Sequence, residues 1–208
     1  MKIKGVILGG AALLALCVPA GFAQSTSGQG SSAAPAAKPD SIKDRKESQQ
    51  DRIASGVQSG QLTAGETKNL ETKEAGLNKE ESNMRKADDG HLTAADRAKL
   101  NRQQDRLSNQ VYSDKHNANT PRYGNNEVGQ RRENQQDRIA QGIQSGQLKP
   151  GETAHLENKE QGINKEVNGM RQANGGKLTA ADKRAVNQQQ NKASRQIYNK
   201  KHNARKQG

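Results

Sequence analysis

At 208 residues the chain is long enough for one or two small domains, yet only 29% of it is hydrophobic and 2% aromatic, against a net charge of +12. Three tyrosines, one phenylalanine and no tryptophan leave no set of rings on which bases could stack, which argues against specific nucleic-acid recognition. A single cysteine excludes an intrachain disulfide.

Residues 1–23 read as a secretory signal peptide. Lys2 and Lys4 give a basic start, residues 6–18 an apolar stretch, and Gly21-Phe22-Ala23 small residues at both cleavage positions. That stretch is shorter than the roughly 20 residues a bilayer span needs, so no transmembrane segment is expected. Leu16 before Cys17 is too bulky for a lipoprotein signal. Cleavage near Ala23 would place a cysteine-free basic chain, net +10 without Lys2 and Lys4, in the periplasm or outside the cell. Residues 24–40 are rich in Ser, Gly, Ala and Pro, the composition of a disordered linker.

Beyond the linker the chain repeats itself. Residues 47–118 align without a gap with residues 133–204, a shift of 86, and roughly 43 of the 72 pairs are identical. Residues 41–118 form the first helical repeat, 119–130 a turn-rich connector containing Pro121 and Gly124, 131–204 the second repeat, and 205–208 a basic tail. In the first block the pattern predicts helices over 41–59, 64–88 and 94–117. Gly60 and Gly90 stand where a helix needs a left-handed residue after its last turn, as do Gly146 and Gly176 in the second block. Thr63 with Glu66, Thr93 with Asp96 and Thr179 with Asp182 have the spacing of capping boxes. At the fourth junction Lys149 replaces Thr. There Pro150 suits the first helical position, where a missing N–H costs nothing, and Glu152 supplies the acid.

These signals predict an all-α protein. The expected architecture is two tandem copies of an antiparallel three-helix unit built from helical hairpins, each block folding by itself beside a mobile connector. Leu70, Leu77 and Met84 recur every seven residues, as do Leu156, Ile163 and Met170, which is coiled-coil spacing. The mid-helix glycines Gly76 and Gly162 fit close approach of a neighbouring backbone. The stripes are thin, since Leu, Ile, Val and Phe make up 20 of the 185 residues after Ala23. So low a share usually means disorder. The agreement of caps, stops and heptads argues instead for real helices of marginal tertiary stability, held by oligomerisation or by a partner.

Charge is uneven. Residues 47–118 carry eleven basic and twelve acidic side chains, residues 133–204 twelve and seven. Lys183, Arg184, Lys192, Arg195, Lys200, Lys201, Arg205 and Lys206 crowd the last helix and tail, a solvated face or a contact for an anionic envelope polymer, lipid or other polyanion. The loop from Arg85 to Asp96 looks like a calcium EF-hand at Gly90 and Leu92. It fails at the ligand positions, which hold Arg85, Ala87 and Asp89, with Arg171, Ala173 and Gly175 in the second block. Tyr112 with His116 and Tyr198 with His202 share helical faces, but no further ligand follows, so they read as helix-end chemistry. His91 and His155 occur in one block each and read as surface residues. No nucleophile–base pair, phosphate loop or cofactor fingerprint appears, and neither enzyme, cofactor nor metal is expected.

The junctions at residues 62–66, 92–96, 178–182 and 148–152 resemble those of periplasmic LTxxQ-type stress chaperones, with Glu or Asp in place of the final Gln. An exported bacterial helical-repeat protein fits the same residues. The resemblance implies an ATP-free, surface-binding role in the envelope. Together these readings predict a non-enzymatic protein that binds other macromolecules as a stress-protective chaperone, with a basic polyanion-binding or envelope-structural module acting through the C-terminal helix as the alternative and a degenerate EF-hand-like calcium-responsive protein as a third.

Overall fold

The computed structural model describes residues 41–204; the stretches expected to be a signal peptide and a linker, and the tail with Arg205 and Lys206, lie outside the described residues. The described residues are helical, without strands: α1 Ile42–Gln58, α2 Ala64–Ala87, α3 Ala94–Lys115, α4 Glu127–Gln144, α5 Pro150–Ala173 and α6 Ala180–Lys201. None of these helices is long and apolar enough to cross a membrane.

Each helix starts where a side chain can take up its free amides. Ser41, Thr63, Thr93 and Thr179 accept from the amide three residues on, while Asp44, Glu66, Asp96 and Asp182 reach back to the cap's own N–H. Pro150 opens α5, and the Glu152 carboxylate accepts from the Lys149 amide at 3.3 Å. Asn126 caps α4 by accepting from Gly129 at 3.1 Å, so α4 takes up the last four residues of the expected connector. Val128 and Gly129 are buried there. Gly60, Gly90, Gly146 and Gly176 all have positive φ, between +65° and +89°.

α5 and α6 begin and end 86 residues after α2 and α3. Within each block the three helices all touch one another. Between blocks α1 packs on α4 and α2 on α5, while α3 and α6 pack only on helices of their own block. Exchanging the blocks leaves this set of contacts unchanged. Each connecting helix meets its own counterpart, the relation that characterises a two-fold, isologous interface.

The main apolar cluster is common to both blocks. Ile53, Val57, Leu62, Leu70, Leu107 and Val111 meet Ile139, Ile143, Leu148, Leu156 and Ile197. A smaller cluster, Val128, Ile163, Val167, Val186 and Ala193, belongs to the second block alone. Val167 is fully buried there, and its first-block counterpart is Glu81, tied to Lys46 at 3.1 Å and Arg85 at 2.9 Å.

Amides complete what the thin stripes leave open. Gln49 Nε2 donates to the Gln104 carbonyl and Ser108 Oγ at 2.7 and 2.8 Å; Gln135 donates to the Gln190 carbonyl and Ser194 Oγ at 2.8 and 2.9 Å. Gln104 and Gln190 reach on to the Ile42 and Val128 carbonyls. All four glutamines are 2% exposed or less. Their Nε2 groups are thereby paired, whereas the buried Oε1 of each of the four has no hydrogen-bond partner and lowers the net gain from these layers.

The mid-helix glycines correct one expectation. A Cβ on Gly76 or Gly162 would meet nothing within 4 Å, so neither permits a close approach. That role falls to Gly56 and Gly142, where a Cβ would lie 2.7 and 2.6 Å from Leu62 and Leu148 Cδ1. Leu62 and Leu148, following Gly60 and Gly146, fold back over the helices they have just left.

Candidate functional site

Two places combine depth with unusual chemistry: a set of carboxylates between α2 and α5, and a groove that opens beside it.

Glu71 and Glu74 on α2, and Glu157 and Glu160 on α5, are each 2% exposed or less. Helical spacing turns both pairs toward the partner helix, since residues three apart share a face. Gln50 Nε2 donates to Glu71 at 3.3 Å and Gln136 Nε2 to Glu157 at 2.9 Å. Burial raises all four carboxyls. Glu71 is pushed well above the usual range, with Glu74 and Glu157 adding repulsion; Glu157 rises to about 8, and Glu74 and Glu160 to about 7. Lys46 opposes the rise at Glu74, and Arg132 and Arg138 oppose it at Glu160. Sequence reasoning missed this cluster, because nothing in Glu-Thr-Lys-Glu or Glu-Asn-Lys-Glu sets a buried acid apart from a solvated one.

The groove is a cavity of about 1480 Å³ between α1 and α2 on one side and the α4–α5 junction on the other. Lys46, Glu74, Asn78 and Ser82 form one wall, and Gly146, Glu152, His155 and Lys200 the other. Glu74 is fully buried beneath the first wall, with neither carboxylate oxygen hydrogen-bonded. Glu152 accepts from Asn203 at 2.8 Å and lies 3.9 Å from Lys200. A smaller cavity of about 420 Å³ between α2 and α3 is bordered by Gly76 and Leu77.

Exchanging the blocks maps this groove onto the course of the connector. Asn117 and Asn119 donate to Glu66 Oε1 at 2.8 and 2.9 Å. Pro121 lies over Gly60, 3.7 Å from where a Cβ would stand. The Arg132 guanidinium sits 5.3 Å from the Tyr123 ring centroid, within cation–π range, and its Nη1 donates to the Arg122 carbonyl at 3.5 Å. Burial and the nearby charge of Glu157 push Tyr123 ionisation up, and burial pushes Arg132 down.

The expected site residues are more scattered. Asp96 and Asp182 accept from the Thr93 and Thr179 hydroxyls at 2.6 Å and from their amides, so these acids serve the caps. Those hydrogen bonds hold both carboxyls below the usual range. In the EF-hand-like loop Arg85 donates to the Gly90 carbonyl at 3.3 Å. His116 and His202 cap α3 and α6, each ring nitrogen on the carbonyl of the tyrosine it stacks against, Tyr112 or Tyr198, at 2.7 Å. His91 and His155 are exposed. Of the basic run, Lys183, Arg184, Lys192 and Arg195 are exposed on α6, Lys200 turns into the groove, and the Lys201 stem packs near Gly142. Among the described residues no group of three or more His, Cys, Asp or Glu is placed to hold a metal ion.

No protein-family profile, curated protein or solved structure matches the chain.

Proposed function

We propose that this is a non-enzymatic, exported helical-repeat protein that binds other macromolecules, acting as an ATP-free, stress-protective chaperone of the kind its junctions resemble. The groove carries the reading. At about 1480 Å³ it exceeds the ~300–1,000 Å³ typical of small-molecule pockets, and its walls alternate charge, amide and backbone in the manner of a surface for polypeptide. We read the architecture as two tandem three-helix units, on the 86-residue shift of helix ends and on the packing of α1 and α2 against their own counterparts. The test is light scattering of an aggregating client with excess protein and no nucleotide. Suppressed aggregation is expected; an unchanged trace overturns the chaperone role.

A second reading, contact with an anionic envelope polymer, is favoured by exposure of Lys183, Arg184, Lys192 and Arg195 along α6. Heparin or anionic-vesicle binding that weakens steeply with salt and falls when these four become Gln would support it; salt-insensitive or absent binding would reject it.

A further inference from the structure

Each copy of the block ends its last helix on an exposed tyrosine. Tyr112 is 64% exposed and Tyr198 60%, the only large hydrophobic side chains so placed among the described residues. Other solvent-facing positions of α3 and α6 have drifted apart: Arg102 pairs with Gln188, Asn109 with Arg195 and Ser113 with Asn199, all exposed. Beyond the alanines of the first turn, tyrosine is the one exposed residue the two helices share.

The fold makes little use of these rings. His116 and His202 cap their helices through the tyrosine's backbone carbonyl, at 2.7 Å, which any residue would supply. The phenol hydroxyls have no hydrogen bond among the described residues. Each ring lies against its histidine instead, centroids 4.1 Å apart and planes 27° and 26° from parallel. One helical turn earlier on the same face, Ser108 and Ser194 accept from the Arg52 and Arg138 guanidinium groups at 2.9 Å. Both copies therefore set a tyrosine–histidine stack about one turn from an arginine. Around the second stack the charge is more positive, with Arg195 and Lys200 where the first block has Asn109 and Asp114.

An exposed aromatic face takes the weakly positive C–H face of another ring, and a guanidinium takes a carboxylate in a fork of two hydrogen bonds. A ligand that answers both carries a ring and a carboxylate on one unit, as a uronic acid does. The exposed Lys183, Arg184 and Lys192 along α6 add longer-range attraction for a chain of such units.

We propose that the Tyr112–His116 and Tyr198–His202 pairs are platforms for an anionic polysaccharide, each tyrosine stacking on a uronic-acid ring whose carboxylate is held by Arg52 or Arg138. This rests on the envelope-polymer reading above and deepens it, since charge alone makes no demand for rings.

The test measures binding of the purified protein to immobilised polygalacturonate by biolayer interferometry, beside polyphosphate, which has charge without rings, and dextran, which has rings without charge. Saturable, salt-sensitive binding to polygalacturonate and far weaker binding to dextran are expected. Changing Tyr112→Ala and Tyr198→Ala together should weaken polygalacturonate binding about tenfold or more and leave polyphosphate binding unchanged. Tyr198→Ala alone should cost more than Tyr112→Ala. Both side chains are exposed, so the circular dichroism spectrum should not change. Arg52→Gln with Arg138→Gln should reduce the preference for polygalacturonate over dextran. Polygalacturonate binding that survives the double tyrosine change, that dextran matches, or that never saturates overturns the proposal. Salt-sensitive binding lost only when Lys183, Arg184, Lys192 and Arg195 become Gln, with the tyrosine changes silent, sinks the platforms and leaves the envelope-polymer reading standing.

Discussion

Replacing Glu157 by Gln should stabilise the protein, and more so as pH rises. Glu157 is fully buried between α5 and α4, accepts from Gln136, and has Glu160 beside it and Glu71 across the interface. Its carboxyl titrates near 8 when folded and near 4.5 when free. A raised acid pKa means that the folded state holds the proton more tightly. Its stabilising effect is therefore complete below about pH 4.5 and is lost as pH climbs through 8. At 1.36 kcal/mol per unit, taking pH from 5.5 to 8.5 should remove about 3 kcal/mol through this one group. A domain of this size has on the order of 5–15 kcal/mol in all. The coupled acids Glu71, Glu74 and Glu160 act in the same direction. Urea denaturation followed by circular dichroism at both pH values should show the midpoint falling as pH rises, with Glu157→Gln flattening that fall. A wild-type midpoint that is constant or climbs between pH 5.5 and 8.5 would refute the idea that these carboxyls are buried together.

Below about pH 4.5 the sign reverses for Glu66, Glu81, Asp96 and Asp182, whose carboxyls are held below their usual range, so stability should fall again on strong acidification. Thr93→Ala and Thr179→Ala should each cost about 1 kcal/mol in chemical denaturation, since each removes one acceptor from a helix start. Leu70→Ala and Ile139→Ala should cost about 2–5 kcal/mol, whereas Leu77→Ala, at a partly buried site, should cost less. Gly76→Ala and Gly162→Ala should raise the melting temperature, gaining up to about 1 kcal/mol of helix propensity in open space. Gly56→Ala and Gly142→Ala should lower it, because the new methyl strikes Leu62 or Leu148. Residues 41–118 produced alone should self-associate in analytical ultracentrifugation, since they lose the α4 and α5 surfaces on which α1 and α2 pack; a stable folded monomer would count against the shared core.

The helix ends were legible because the signals that make them are local. A threonine, an acid three residues later and a glycine before them act within one turn, and Thr63, Thr93 and Thr179 all cap the helices that follow. The interior was only half legible. Ile53, Leu70, Leu100 and Leu156 are buried, as apolar stripes imply. Gln49, Gln104, Glu71 and Glu157 are buried too, but their neighbours come from helices about 20 to 60 residues away in sequence. No periodicity distinguishes an amide facing another amide from one facing water. The groove was hidden for the same reason: Tyr123 sat in a stretch read only as a turn, and its partner Arg132 looked like one surface charge among many. The α2–α5 interface follows from two copies of one pattern in a single chain, yet the pattern does not say that each copy completes the other.

The glutamine layers also decide how the molecule meets heat and cold. Unfolding would expose Gln49, Gln104, Gln135 and Gln190 along with the isoleucines and leucines around them. Freshly hydrated apolar surface raises the heat capacity of the unfolded chain, whereas hydrated amide lowers it. An interior shared between the two has a small heat-capacity change for its length, and the curve of stability against temperature loses much of its curvature. Such a protein gives up comparatively little stability on cooling toward freezing.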